Sequence, residues 1–401
     1  MTLHSECLSK ASTGDGAKGS DIPTFGRSPA HCTSNNTLVY ESESPPRSAF
    51  WNQEIGRGLQ YLFERVSLPT AACHDFMDYF NHQIAPLLGP TPQEFKEQGM
   101  RPSTFFSDDH TPVELIWAVE ADGKMSIRFA MEPLNCLNGT PSPSRVWMSA
   151  LHNLCSWHRT RTWSLEWADI CRETLIIDDS EVDERIQYPS HFFLGGDFSQ
   201  DSMVGKLYFL PHFRATKTEV SQEDLVTECI SRIGLTDPWS RVLSFMSTIP
   251  KNERPVPDMV AIDCMPSTQN RIKVYFRCDV TSLDEVIHIV RLGGALDNDP
   301  LIKEITDLIE ELWGHFFPGL GRFEHITPSR PRKLAHGFLI YFEMKLGSNR
   351  MWPKVYFPVR QYCESDTFIA NAISKFYAPY NDDFSKRYLH DLHNILWVSA
   401  S

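Results

Sequence analysis

Residues 270–278 read Asn270-Arg-Ile-Lys-Val-Tyr-Phe-Arg-Cys278, and their alternation decides the fold. Side chains at i and i+2 of a strand share a face, so Arg271, Lys273 and Tyr275 stand together, with Ile272 and Val274 opposite. The step recurs in Lys206-Leu-Tyr208 and Lys354-Val-Tyr356, and Arg128 lies between Ile127 and Phe129. On one strand alone, this pattern describes a solvated face. Repeated on three strands, with aliphatic Leu207, Ile272, Val274 and Val355 free to pack on helices, it points inward. The expected arrangement is a sheet curled on itself, helices outside and a polar lumen within.

Each of these strands is the second of a pair. Val113–Val119 pairs with Met125–Glu132 across Glu-Ala-Asp-Gly (120–123), a hairpin composition. His191–Phe198 pairs with Gly205–Pro211, Asp258–Met265 with Asn270–Cys278, and His336–Lys345 with Pro353–Val359. Helical spacing fills the intervals. It runs from Gly56 to Leu88, stopped by Leu-Leu-Gly-Pro (87–90), and from Ser144 to Trp157, with helix or loop up to Ser190. Ser221 and Asp224 open a helix to about Ile233. Pro300 opens another with Leu301, Ile305, Leu308 and Leu312 on one face, and Thr367–Phe376 and Phe384–Leu396 follow. The unit helix-strand-strand-helix occurs four times at roughly 65–80 residues, longer than solenoid repeats. The fold class is α+β.

Composition restricts the function. The net charge of −13 gives no overall field for nucleic acid, so an anionic ligand needs a local cation cluster. Ten cysteines without a CxxC pair read as reduced thiols. The N-terminus has no apolar signal core, and no apolar run reaches the ~18 residues that span a membrane. The expectation is a cytoplasmic protein, without membrane or nucleic-acid partner and compatible with a homodimer. Residues 1–47, rich in Ser, Thr, Gly, Asn and Pro, read as a flexible tail, and residues 48–401 as one domain.

A lumen holding Arg128, Lys206, Arg271, Lys273 and Lys354 needs an anion, because buried like charges repel and lose hydration. Diphosphate suits them, Arg supplying paired donors and Lys a point charge. Tyr208, Tyr275 and Tyr356 on the same face present π-faces to a carbocation and exclude water. Metal-free ionisation of an allylic diphosphate requires this pairing.

These strands, with Asp-Asp-His-Thr-Pro-Val-Glu-Leu (108–115), Met-Glu-Pro (131–133) and Val-Tyr-Phe-Pro-Val (355–359), resemble the fungal dimethylallyl-tryptophan-synthase family of aromatic prenyltransferases. The resemblance runs from about Trp51 to Leu396. It implies a ten-stranded antiparallel barrel of αββα repeats ringed by helices. It implies that Arg128, Lys206, Arg271, Lys273 and Lys354 bind the diphosphate of dimethylallyl diphosphate, and that Tyr208, Tyr275 and Tyr356 shield the allyl cation. Lys354 stands where several members carry Gln, which keeps a donor. Glu114 matches the carboxylate that accepts the indole N–H; it shares a face with Ile116, against the competing reading of a surface carboxylate. The implied activity is transfer of a dimethylallyl group to an aromatic carbon of an indole or tryptophan-derived metabolite, without a metal. Phe-Trp-Asn-Gln-Glu-Ile-Gly (50–56) departs from the family's entry segment. A phenolic polyketide acceptor, or a barrel that only binds ligand, stays open beside the indole.

The resemblance also implies a fifth strand pair after Phe384–Leu396, where the sequence reads Trp397-Val-Ser-Ala-Ser401. The expectation is therefore a barrel lacking its last pair, with two open edges that admit water and impair transfer. A coding sequence read into an intron is the competing account. Asp178-Asp179 to Asp183 and Asp108-Asp109 lack the helical spacing of a metal-binding DDxxD, and His390 and His393 suggest no third ligand, so no metal site is expected.

Overall fold

The computed structural model describes residues 45–97, 104, 111–119, 125–134, 143–178, 190–199, 202–330 and 337–397. Among the described residues eight strands form one sheet: β1 (Val113–Val119), β2 (Met125–Met131), β3 (Phe192–Phe198), β4 (Met203–Phe209), β5 (Val256–Asp263), β6 (Ile272–Cys278), β7 (Phe338–Met344) and β8 (Trp352–Tyr356). Their order in space is their order in the chain, every ladder is antiparallel, and β1 and β8 are the two edges. The expected four pairs are all present, their ends shifted by a few residues. The sheet curls toward its basic face: Tyr275 and Tyr356 lie two strands apart, roughly 9.6 Å in a flat sheet, yet their ring centroids approach to 6.1 Å.

The convex face carries the core. Leu207, Ile272, Val274 and Val355 are buried there, as the alternation requires, and each hairpin meets aromatic rings from a helix. Trp147 of Pro143–Cys155 lies 5.1 Å from Phe192 and 5.2 Å from Phe209. Trp239 stacks on Phe276 at 6.1 Å, and Trp313 on Phe338 at 5.9 Å. On β1, Trp117 takes Phe384 edge-on at 5.2 Å. Each such ring contributes a few kcal/mol through its burial, so the helical layer fixes the sheet from outside. Gly205 is required by one close approach: a Cβ there would lie 2.5 Å from the Trp163 indole, whose Nε1 donates to the Met203 carbonyl at 2.7 Å.

The helices correct the sequence reading in places. The helix Pro45–Trp51 starts inside the stretch read as a tail, whose residues 1–44 lie outside the described ones. The region Gly56–Leu88 is broken, because Ser67 adopts positive φ (56°) before Leu68-Pro69, separating Arg57–Arg65 from Thr70–Tyr79. Helices that escaped the pattern include Thr236–Thr248, with Pro238 in its first turn, the short His212–Thr218, and Leu283–Val290. Leu283–Val290 carried its signal in Ser282 and Glu285, which form a reciprocal capping box. The expected caps hold, Ser221 accepting from the Asp224 N–H and Asp299 from the Leu301 N–H ahead of Pro300. Among the described residues no helix is long and apolar enough to cross a membrane, and Cys73, Cys155, Cys171, Cys229, Cys264, Cys278 and Cys363 are free thiols.

Candidate active site

The concave face is built in rows. Glu114, Ala130, Gly195, Lys206 and Asp263 are successive cross-strand partners on β1 to β5. Phe193, Tyr208, Ala261, Lys273 and Glu343 form the next row, and Met259, Tyr275, Tyr341 and Lys354 the one after. Directly opposed residues share a face. All nine residues singled out from the sequence therefore lie on the concave side: Glu114, Arg128, Lys206, Tyr208, Arg271, Lys273, Tyr275, Lys354 and Tyr356.

The cations are not waiting bare. Lys206 Nζ lies 2.9 Å from Asp263 Oδ1 and 3.1 Å from Asp197 Oδ2. Lys273 Nζ reaches the same Asp263 Oδ1 at 3.1 Å, and Arg271 Nε donates to Asp263 Oδ2. Arg271 Nη1 meets Glu343 at 3.3 Å, and Arg128 Nε lies 3.3 Å from Asp197. The requirement for an outside anion is thus corrected: the protein's own carboxylates already compensate most of the positive charge. Burial raises the Asp263 carboxyl, but Lys273, Lys206 and Arg271 overcome that and hold it far below the usual range. Burial also lowers Lys206, and its two carboxylates reverse the shift and raise it. Lys273 shares Asp263 with two other cations and fares worse. Burial pushes it down to about 8, against the pull of Asp263 and Glu343.

Asp197, Asp263 and Glu343 lie on the first strands of their pairs, outside the basic-x-Tyr step that the sequence repeats on the second strands. The signal was there. Concave acids sit on β1, β3, β5 and β7 (Glu114, Asp197, Asp263, Glu343), and concave bases on β2, β4, β6 and β8 (Arg128, Lys206, Lys273, Lys354). The sign of the charge alternates strand by strand. Arg277 and Asp258 extend the scheme, 2.7 Å apart at the far end of β5 and β6.

Beside the ions lies an aromatic cluster. Tyr275, Tyr341 and Ala261 are buried together, with Tyr208, Tyr356, Met259 and Leu339 packed against them. Tyr341, a fourth tyrosine not singled out from the sequence, is central, its centroid 4.8 Å from Tyr275 and 6.1 Å from Tyr356. Lys354 Nζ sits 5.5 Å from the Tyr356 centroid and 6.0 Å from that of Tyr341, so it joins the tyrosines rather than the Asp263 group. Cation–π attraction already operates there.

Glu114 is buried at the other end of its row. Between it and Lys206 stand only Ala130 and Gly195, three strand spacings of roughly 4.8 Å with almost no side chain on them. Past the end of β2, Glu132 is buried, and burial pushes its carboxyl up to about 7 against the Ser190 and Thr104 hydroxyls that lower it. Asp108, Asp109 and Asp179 to Asp183 lie outside the described residues, and His390 and His393 are exposed on Asp382–Trp397. Among the described residues no three His, Cys, Asp or Glu side chains group as metal ligands.

The chain has relatives in sequence and in fold. It is 28 % identical over 363 residues to 4-O-dimethylallyl-L-tyrosine synthase of Claviceps purpurea, covering 85 % of this chain and 81 % of that one. It is 27 % identical over 351 residues to 7-dimethylallyltryptophan synthase of Aspergillus fumigatus, covering 82 % and 74 %. Its fold is that of AnaPT from Neosartorya fischeri (TM-score 0.73, 20 % identity, 86 % and 85 % covered) and of NotF in complex with brevianamide F and DMSPP (TM-score 0.74, 19 %, 90 % and 89 %). The profile of the tryptophan dimethylallyltransferase family matches residues 47–391. With a curled antiparallel sheet, a cation cluster and a tyrosine cluster on one concave face, the chain belongs to that family of aromatic prenyltransferases.

Proposed function

We propose that the protein transfers a dimethylallyl group from dimethylallyl diphosphate to an aromatic carbon of an indole or tryptophan-derived metabolite. One observation carries the reading: diphosphate-type cations, carbocation-type tyrosines and a buried carboxylate share one concave face, the last two rows apart from the tyrosine cluster. In this reading Arg128, Lys206, Arg271, Lys273 and Lys354 receive the diphosphate as the allylic C–O bond breaks. Tyr208, Tyr275, Tyr341 and Tyr356 face the allyl cation and keep water from it. The acceptor ring lies over Ala130 and Gly195, and Glu114 accepts its N–H, raising electron density on the attacking carbon. The ring carbon attacks, and loss of its proton restores aromaticity. Because side chains supply the positive charge, we expect turnover to persist in EDTA.

A second reading, prenylation of a phenol, is favoured by the likeness to the tyrosine O-prenylating relative. Incubation of the purified chain with dimethylallyl diphosphate and L-tryptophan, a tryptophan-containing cyclic dipeptide, L-tyrosine or a hydroxyxanthone, with products identified by mass, separates the two. Transfer to none of them, with no diphosphate released, overturns both.

A further inference from the structure

We propose that Asp263 is the positioning residue of the diphosphate site, fixing Lys206, Arg271 and Lys273 in one fan before the ligand arrives. The proposal rests on the diphosphate reading above and adds to it an acid whose task is geometric. Its two carboxylate oxygens are divided: Oδ1 takes both lysines, at 2.9 and 3.1 Å, and Oδ2 takes the Arg271 guanidinium. The three cations come from β4, from β6 and from Arg271 just ahead of β6, and long side chains bearing like charge would otherwise splay apart.

Asp263 is itself pinned. Its N–H and that of Arg271 both donate to Asn270 Oδ1, at 3.1 and 2.8 Å, while Asn270 Nδ2 donates to the Met265 carbonyl. Asn270 is 1 % exposed and Asp263 4 %. The hairpin connection is therefore cross-braced where the carboxylate must not move. An ammonium has three donors and a guanidinium five, so one bond from each cation to Asp263 leaves donors for phosphate oxygens. Ordering these side chains in advance removes that cost from binding.

The charges around Lys273 supply a readout that a purely structural role would not move. Asp263 on β5 and Glu343 on β7 favour its charged form, Lys206 on β4 and Arg271 on its own chain segment oppose it, and Asp197 on β3 acts through Lys206. Since burial holds it at about 8, pyrophosphate affinity should decline as pH rises through that value. Loss of the Asp263 charge should move the decline to lower pH.

The test is calorimetric titration of the full chain with inorganic pyrophosphate from pH 6 to 9, for the wild type, Asp263→Asn and Asp263→Glu. We expect the wild type to bind. The Asn variant should bind at least about tenfold more weakly, its decline shifted to lower pH. The Glu variant keeps the charge but moves it by one methylene, and should lose affinity with its pH midpoint retained. A wild type that binds no pyrophosphate overturns the diphosphate reading and the positioning role together. A wild type that binds, with an Asn variant of equal affinity and unshifted profile, overturns the role of Asp263 alone. If the Asn variant does not fold, a Glu variant binding as tightly as the wild type has the same force.

Discussion

Tyr275 and Tyr341 stand directly opposite one another on β6 and β7, their ring centroids 4.8 Å apart and tilted by 59°. Such packing leaves no room for water between them, and Lys354 Nζ lies over the Tyr341 ring at 6.0 Å. Tyr341→Ala opens that wall. We expect the ratio of dimethylallyl alcohol to prenylated product to rise about tenfold or more, while Tyr341→Phe stays near wild type. Product partition measured by chromatography checks this, and an unchanged ratio in the Ala variant removes Tyr341 from the shield.

Glu114 lies at the β1 end of the row that leads through Ala130 and Gly195 to Lys206. Glu114→Gln preserves shape and removes the charge. Turnover of an indole acceptor should fall roughly 10²- to 10⁴-fold, with pyrophosphate affinity unaltered. A phenol, which can ionise without this base, should suffer less. Equal losses on both acceptors would argue for a structural role.

Glu132 offers a stability signature. Burial raises its carboxyl from 4.5 to about 7 in the folded chain. A raised folded value means the stabilising contribution is complete below about 4.5 and is lost as pH rises through about 7. Glu132→Gln has no proton to lose. Going from pH 4 to pH 8, the wild type should therefore lose on the order of 3 kcal/mol relative to the Gln variant. Chemical denaturation of both chains at the two pH values measures the difference, and parallel pH profiles would contradict it.

Gly205→Ala drives a methyl into the Trp163 indole, which is tethered to the Met203 carbonyl and cannot simply swing aside. Overpacking of this kind costs about 1–3 kcal/mol, read as a melting temperature lowered by a few degrees. An unchanged melting temperature means that the indole slides along the sheet.

Much of the fold was legible because it rests on alternation. Leu207, Ile272, Val274 and Val355 could face only one way once Lys206, Lys273, Tyr275 and Lys354 faced the other, and all eight strands followed. The break at Ser67 was hidden because a positive φ in a non-glycine residue leaves no mark on hydrophobic spacing. Thr236–Thr248 was hidden by Pro238, although Trp239, Val242 and Phe245 kept the helical period. Of the site, cations and tyrosines in a repeated step could be found on one strand at a time. Asp197, Asp263, Glu343 and Tyr341 acquire their meaning only from the neighbour across the ladder, and a single strand does not say which neighbour that is.

The strand-by-strand alternation of charge also has a bearing on how the chain finds its partners. Arg128 can be neutralised by the next strand to emerge, through Asp197, and Lys206 by the one after it, through Asp263. A mistaken ladder between β2 and β4 would bring two basic strands together, and one between β3 and β5 two acidic ones, and like charges are unfavourable across a sheet. Correct neighbours attract and next-nearest neighbours repel. The same residues that are proposed to handle the ligand thereby act as an address label for each hairpin, legible to the chain while it folds and before the sheet has curled.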